Sequence, residues 1–314
     1  MTTGLKDGAA ALVSVEAARD AVLAAVPGAT ETEVVSIFDS LGRVLAEDIV
    51  SPLDLPPWDN SAMDGYAIRS ADVAGASDAS PVLLRIVADL AAGAGPDDPV
   101  ERGTAIRIAT GARLPARADA VVPVEQTRPA DAAGHILGPA SRDASGPLPA
   151  AVAIERPIAP GGSIRRQGSD LRAGARVLET GDVVRPAAVA IAAGIGLETL
   201  PVHRRPIVGI LTTGDEIRRP GQALGEAGIP DANGPALVAL VEEAGGDPRF
   251  LGIAADRLED VRARLCAGLA EDPDLIIVSG GVSVGPYDHV RTAFGELGEV
   301  ELWRVAVQPG KPFA

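Results

Sequence analysis

Four carboxylates stand at comparable places in the last third of the chain. Thr212-Thr-Gly-Asp-Glu216 follows the apolar run Ile207–Leu211, Asp256 follows Phe250–Ile253, and Asp288 comes after the fully apolar run Leu275–Val278. If these runs are parallel strands, then Asp215, Glu216, Asp256 and Asp288 gather at their carboxyl ends, where open α/β sheets bind ligands. Hard acidic oxygens in such a place suit a Mg²⁺ ion shared with a phosphate-bearing substrate. Taken singly, each of these acids also serves as a helix N-cap or turn residue.

The third apolar run leads straight into Ser279-Gly-Gly-Val-Ser-Val-Gly285. Glycines there let backbone N–H groups approach an anion closely, and Ser279 and Ser283 add two hydroxyls. A tight strand-to-helix turn would use the same residues. The segment also contains Gly281-Val-Ser-Val-Gly285, the G-x-S-x-G pattern of a hydrolase nucleophile elbow. That chemistry needs an acid and then a histidine later in the chain. His289 alone follows Ser283, six residues on, with no room for an acid-bearing strand between them. The hydrolase reading is therefore rejected.

Three earlier segments also concentrate reactive side chains. Pro56-Pro-Trp-Asp-Asn-Ser-Ala-Met-Asp-Gly-Tyr66 packs rigid turns, carboxylates and aromatics together. Thr110-Gly-Ala-Arg-Leu-Pro115 precedes Ala118-Asp-Ala-Val-Val122, and Ile164-Arg-Arg-Gln-Gly-Ser-Asp170 offers two arginines to an anion. By pattern alone these are an Asx-turn loop, a loop leading to a strand, and a solvated basic turn.

The elements that must hold these residues follow from periodicity. Ser14–Val26 reads as a helix capped by Ser14, with Glu16 at the positive end of its dipole and Pro27-Gly28 as its stop. From Val34 to Ala153, short β-rich runs at Val34–Ile37, Val82–Val87, Ala105–Ile108 and Ala120–Val124 alternate with Pro/Gly turns. Asp131–Pro149 reads as a loop. From Pro206 onward, apolar strands alternate with helices at Pro235–Ala244, Leu258–Leu269 and Asp288–Leu297, and Val300–Val307 is a final strand. Leu237, Leu240 and Val241 are expected on one helix face, and Val261, Leu265 and Leu269 on another. Strands without polar alternation, separated by amphipathic helices, predict a doubly wound parallel sheet covered on both faces. Cys266, beside the second of these apolar faces, reads as a packed thiol.

Composition sets the class. The 314 residues are 46% hydrophobic, 23% charged and only 3% aromatic, which predicts folded domains, two or more, with aliphatic cores. A formal charge of −15 argues against nucleic acid as a partner. The longest nearly uncharged apolar stretch, Pro186–Leu197, is too short to span a bilayer. No secretory signal is visible at the N-terminus, and the single cysteine fits a reducing compartment, so a cytoplasmic location is expected.

Taken in order, the motifs resemble those of the molybdopterin molybdenumtransferase family, known in bacteria as MoeA and similar to the E domain of gephyrin. The resemblance is carried by Ser51-Pro-Leu-Asp54, Asp59-Asn-Ser-Ala-Met-Asp-Gly-Tyr66, Ile108-Ala-Thr-Gly-Ala112, Ala118-Asp-Ala-Val-Val122, Ile164-Arg-Arg-Gln-Gly-Ser-Asp170, Thr213-Gly-Asp-Glu216, Ser279-Gly-Gly-Val-Ser-Val-Gly285 and Pro309-Gly-Lys-Pro-Phe-Ala314. It runs from about Val15 to the last residue.

The resemblance implies an elongated multidomain fold combining β-rich domains with a doubly wound, MogA/MoaB-like α/β domain. Residues 14–50 and 155–205 would form a discontinuous linker and dimerisation domain, 51–154 an inserted β-rich domain, and 206–314 the molybdopterin-binding domain. It implies a homodimer whose site lies between one subunit's α/β domain and the partner's β-rich domain. Its substrates would be adenylylated molybdopterin and molybdate, with Mg²⁺, and AMP would be released as the metal enters the dithiolene. The pterin-adenylylating protein is implied as a further partner. By motif match, the catalytic residues would be Asp64, Thr110, Asp170 and Glu216. Thr213, Gly214, Asp215, Ser279, Gly280, Gly281, Ser283 and Gly285 would bind substrate, and Asp256 and Asp288 would hold Mg²⁺.

Two departures accompany the resemblance. The family usually carries lysines along Val300–Val307 and its exit, whereas this chain has Arg304 and Gln308 and keeps Lys311. Arg304 and Lys311 are therefore the expected molybdate ligands, at a site weakened by Gln308. Family members also continue beyond Pro-Gly-Lys-Pro-Phe-Ala into a further small β domain, so a C-terminal truncation is expected. Two other functions fit parts of the pattern. A molybdopterin adenylyltransferase would share the α/β domain but not the motifs around Asp64 and Thr110. A gephyrin-like scaffold would bind pterin without turnover.

Overall fold

The computed structural model describes residues 12–139, 146–281, 289–299 and 305–307. The chain forms two compact units, one of Met1–Glu47, Gly181–Pro186 and Thr199–Ala314, the other of Asp48–Thr180 and Ala187–Glu198. Among the described residues no helix is long and apolar enough to cross a membrane.

The second unit is built on a six-stranded mixed sheet. Its strand order is Ala120–Pro123, Gly65–Ile68, Thr104–Ile108, Val82–Leu90, Ala151–Ile154 and Thr127–Ala130. All neighbours are antiparallel except Val82–Leu90 with Thr104–Ile108. Alternate side chains point to opposite faces of a strand. Tyr66, Ile68, Leu84 and Val122 accordingly pack in one aliphatic cluster, while Ala67, Ile106, Ile108 and Val121 pack in another. Gly65 opens the strand next to the Ala120–Pro123 edge because nothing larger fits. A Cβ there would sit 2.1 Å from the Val122 carbonyl oxygen. That close approach fixes where the preceding residue, Asp64, leaves the sheet.

In the first unit, the Val15–Ala25 helix begins as expected, with Ser14 Oγ accepting from the Ala17 N–H at 3.1 Å. Thr32–Ser36 pairs antiparallel with Thr199–His203. The strand predicted over Val34–Ile37 starts two residues earlier and ends at Ser36, where Ile37–Asp39 turns into a short 3-10 helix.

The α/β part is a three-stranded parallel sheet ordered Asp247–Ala254, Ile207–Thr213, Leu275–Ser279. The Asn233–Glu243 helix packs with Val208, Ile210 and Ile277, and the Leu258–Leu269 and His289–Leu297 helices pack with Leu211, Ile276 and Val278. The sheet is therefore doubly wound, with its strand order reversing beside the Ile207 strand.

Three details differ from expectation. Leu237, Val238 and Val241 face the sheet, while Leu240 is 57% exposed. On the Leu258 helix the buried row is Val261, Leu265 and Gly268, because i, i+4, i+7 stays closer to one face than a strict four-residue step; Leu269 is 49% exposed. Cys266, one residue past Leu265 and so about 100° round the helix, is exposed rather than packed. Of the run predicted as a final strand, Val300–Val307, only residues 305–307 are described, and there Val305 forms an isolated parallel bridge with Val13.

Candidate functional site

The α/β part brings those of its predicted site residues that are described to the carboxyl end of the parallel sheet. Thr212 and Thr213 end the Ile207 strand, Ser279 ends the Leu275 strand, and Ala254 ends the Asp247 strand just before Asp256. The Gly214 N–H donates to the Ala254 carbonyl at 3.1 Å, tying the two turns together. Gly214 has φ +145, and a Cβ there would lie 2.9 Å from Glu216 Oε2, so glycine lets the Glu216 carboxylate fold back over the strand end.

The two aspartates interlock. The Asp256 N–H donates to Asp215 Oδ1 at 3.1 Å, and the Asp215 N–H approaches Asp256 Oδ2 at 3.4 Å. This leaves one oxygen of each outside any hydrogen bond among the described residues. Arg218 holds the same turn from behind, its guanidinium donating to the Asp215 carbonyl at 2.7 Å.

Two residues at this edge escaped the sequence reading. Asp231, buried just ahead of the Asn233–Glu243 helix, accepts from the Gly234 N–H at 2.9 Å and from Thr212 Oγ1 at 3.2 Å. Asn233 Nδ2 donates to Ser279 Oγ at 2.8 Å. Asp231-Ala-Asn-Gly234 is a helix-entry signal in its own right, with an acid three residues ahead of the glycine whose amide it caps.

Thr213 Oγ1 is buried and without a hydrogen-bond partner. It faces the glycine turn, since a Cβ on Gly280 or Gly281 would come within 2.8 Å of it. Both glycines have positive φ, +97 and +65.

In the β-rich unit, three distant motifs knit into one surface. The Thr110 N–H and Oγ1 both donate to Asp64 Oδ1, at 2.7 and 2.9 Å. The Gly111 N–H donates to the Ser61 carbonyl, and the Ser61 N–H to that of Ala112. Ile164 and Arg165 pair with Ser61 and Asn60. Asp170 is held to this surface by Arg165 and by the Ser169 hydroxyl at 3.0 Å.

The two predicted anion-binding arginines are already engaged, Arg165 with Asp170 and Arg166 with Asp59 at 2.7 Å. The Gln167 amide and Arg166 hold the Asp59 carboxyl below the usual carboxylate range. The Ala173 amide and Gln167 side chain do the same for Asp54. Asn60 Oδ1 is buried without a partner beneath this network.

A cavity of about 520 Å³ lies elsewhere in this unit, beside Tyr66, Arg107 and Leu137, and none of the predicted site residues lines it. Arg107 there is engaged by Asp89 and the Gly146 carbonyl, and burial pushes the Tyr66 phenol up.

Among the described residues no group of three or more His, Cys, Asp or Glu converges as a ready metal cage. The Asp215–Asp256 pair is all oxygen, which suits Mg²⁺, an ion that commonly takes one or two carboxylates and completes its shell with water and phosphate. Ser283, Gly285, Asp288, Arg304, Gln308 and Lys311 lie outside the described residues.

Comparison with known proteins decides the family. Residues 13–196 match the MoeA N-terminal region (domain I and II), and residues 209–314 match a probable molybdopterin binding domain. The chain belongs to the MoeA family. It is 40% identical over 284 residues to "Molybdopterin molybdenumtransferase 2" of Mycobacterium tuberculosis, covering 88% of this chain and 65% of that protein. It is 34% identical to the Bacillus subtilis molybdopterin molybdenumtransferase, covering 89% of this chain and 62% of that one.

Among solved structures it resembles the molybdopterin biosynthesis MoeA protein of Pyrococcus horikoshii at 33% identity and TM-score 0.79, covering 96% of this chain and 71% of that one. The chain thus spans slightly less than two thirds of the length of the first of these curated relatives. The MoeA N-terminal match takes in Asp64, Thr110 and Asp170, and the molybdopterin-binding match takes in every residue from Thr213 to Ser279 described above.

Proposed function

We propose that the chain carries the site of a molybdopterin molybdenumtransferase, inserting molybdate into adenylylated molybdopterin with release of AMP. The observation that carries this reading is the arrangement of carboxylates on both matched regions. Asp64 is oriented by Thr110, and Asp215 and Asp256 interlock beside Glu216 at the sheet's carboxyl edge. Orphaned buried polar atoms support it, because such atoms cost about 1–3 kcal/mol each and concentrate at working sites. Two of the three among the described residues, Asn60 Oδ1 and Thr213 Oγ1, fall inside the site motifs.

In this reading Asp64 Oδ1 is occupied by both Thr110 donors, so Oδ2 faces the reacting partner. Asp64 and Glu216 position the molybdate oxyanion or the water that cleaves the adenylyl phosphoanhydride, and accept that water's proton. Asp170 supports the Asp64 surface through Arg165. Thr213, Gly214, Asp215, Ser279, Gly280 and Gly281, with Ser283 and Gly285, line the pterin and phosphate. Arg304 and Lys311 hold molybdate.

Asp256, with Asp288, would hold Mg²⁺, which when bound supplies charge neutralisation at the phosphate. The site is completed in a homodimer in the cytoplasm. The dimer is supported by exposed apolar side chains near the start of the chain, with Phe38 at 87% and Val34 at 67% exposure. The Asp64–Thr110 pair favours the transferase over the adenylyltransferase reading. The test is molybdate-dependent AMP release from adenylylated molybdopterin, compared with that of D64N and E216Q.

A further inference from the structure

The Asn233–Ser279 hydrogen bond sits at the surface, where such a bond contributes little to stability, about 0.5–1.5 kcal/mol. Yet it closes a ring of four residues from three elements. Asp231 accepts from the Thr212 hydroxyl at 3.2 Å. Thr212 stands directly opposite Ser279 in the parallel register. Ser279 Oγ accepts from Asn233 Nδ2 at 2.8 Å. Asn233 lies two residues beyond Asp231 in the chain, and the Gly234 N–H returns to Asp231 Oδ1 at 2.9 Å.

The backbone on either side of Asn233 is thereby fixed. A Cβ at Gly234 would meet Asp231 Oδ2 at 2.4 Å and Phe250 at 2.8 Å, so any larger residue at this entry to the helix would push aside the Asp231 carboxylate that caps it.

The direction of the bond matters. An amide N–H reaching Ser279 uses a lone pair of the hydroxyl oxygen and leaves its O–H free to donate outward. We propose that Asn233 is a positioning residue that aims the Ser279 hydroxyl as a donor at an anionic oxygen of the substrate. It acts through Ser279 and rests on the transferase reading above. Thr213 Oγ1, the neighbouring orphan, is covered by the glycine turn, so among the described residues Ser279 is the hydroxyl at this edge left available.

The experiment is a double-mutant cycle on the affinity for adenylylated molybdopterin, with S279A, N233A, N233D and each asparagine variant combined with S279A. S279A is expected to weaken binding about tenfold, the equivalent of about 1.4 kcal/mol. N233D is close to isosteric but turns the donor into an acceptor, so the Ser279 proton is drawn inward and binding falls at least as far. N233A frees the hydroxyl to rotate and costs a few-fold.

In the S279A background N233A should have no further effect, and thermal midpoints should stay within a few degrees throughout. Additive losses from N233A and S279A, or full affinity in N233D, would overturn the positioning role while leaving the transferase reading intact. No binding by the unsubstituted chain would contradict that reading and this inference together.

Discussion

At the residue scale, backbone amides orient carboxylates in each unit separately, Asp64 in one and Asp215 and Asp256 in the other. Asp64 is exposed, and its contacts to Thr110 lie outside the core. D64N should therefore lower turnover by about 100-fold or more, as expected for loss of a proton-accepting group, with an unchanged thermal midpoint. T110V, which keeps the amide bond but loses the hydroxyl bond, should cost less than D64N. Equal losses would mean that Thr110 has a role beyond orienting Asp64.

Asp215, Glu216 and Asp256 at the strand ends were legible in the sequence because apolar runs place their carboxyl ends by simple counting. Asn233 was not, since its partner lies 46 residues away and depends on which strands are neighbours. The pairing of Arg166 with Asp59 across 107 residues was hidden for the same reason.

At the element scale, close backbone approaches and ion-pair clamps hold the strands in place. G65A should destabilise the β-rich unit by about 2–3 kcal/mol, because a Cβ would meet the Val122 carbonyl rather than a side chain able to move. Chemical denaturation would measure this, and a stability loss below about 1 kcal/mol would contradict it.

In the other unit, Arg204 binds Asp274 through two nitrogens at 2.6 and 2.8 Å, and Asp274 also accepts from the Ile207 N–H at 2.7 Å. Arg204 first, then the amide, depress the Asp274 carboxyl from 3.8 to about 2. A depressed carboxylate stabilises the fold above its ordinary value and loses that contribution as pH falls through the folded value. The clamp should thus be intact above pH 4 and fade toward pH 2. With both side chains still over a quarter exposed, it contributes about 1 kcal/mol after screening. D274N should lower stability by about that amount at pH 7 and flatten the acid limb between pH 4 and 2.

Periodicity alone located the three described parallel strands and the three helices of the α/β part. It misplaced Leu269, because a strict four-residue spacing drifts around a 3.6-residue helix, and it did not separate Leu240 and Cys266, each one residue from a buried position, from their packed neighbours.

At the scale of the whole molecule, a region matching the MoeA N-terminal domains and a region matching a molybdopterin-binding domain share one chain. The dimer reading predicts that F38D, placing a charge on a side chain 87% exposed, shifts the protein toward monomer in sedimentation without lowering its melting temperature. A chain that is already monomeric before substitution would contradict it. The family and fold class were legible because many short motifs recur in one order. The interior arrangement of the β-rich unit was not, since strands separated by Pro/Gly turns leave their pairing open until packing selects it.

The most direct test of the central claim is AMP release from adenylylated molybdopterin by this chain with Mg²⁺, followed with and without molybdate. Under the transferase reading, release requires molybdate and is lost in D64N. Release independent of molybdate, or none from a folded dimer that binds the substrate, would contradict it.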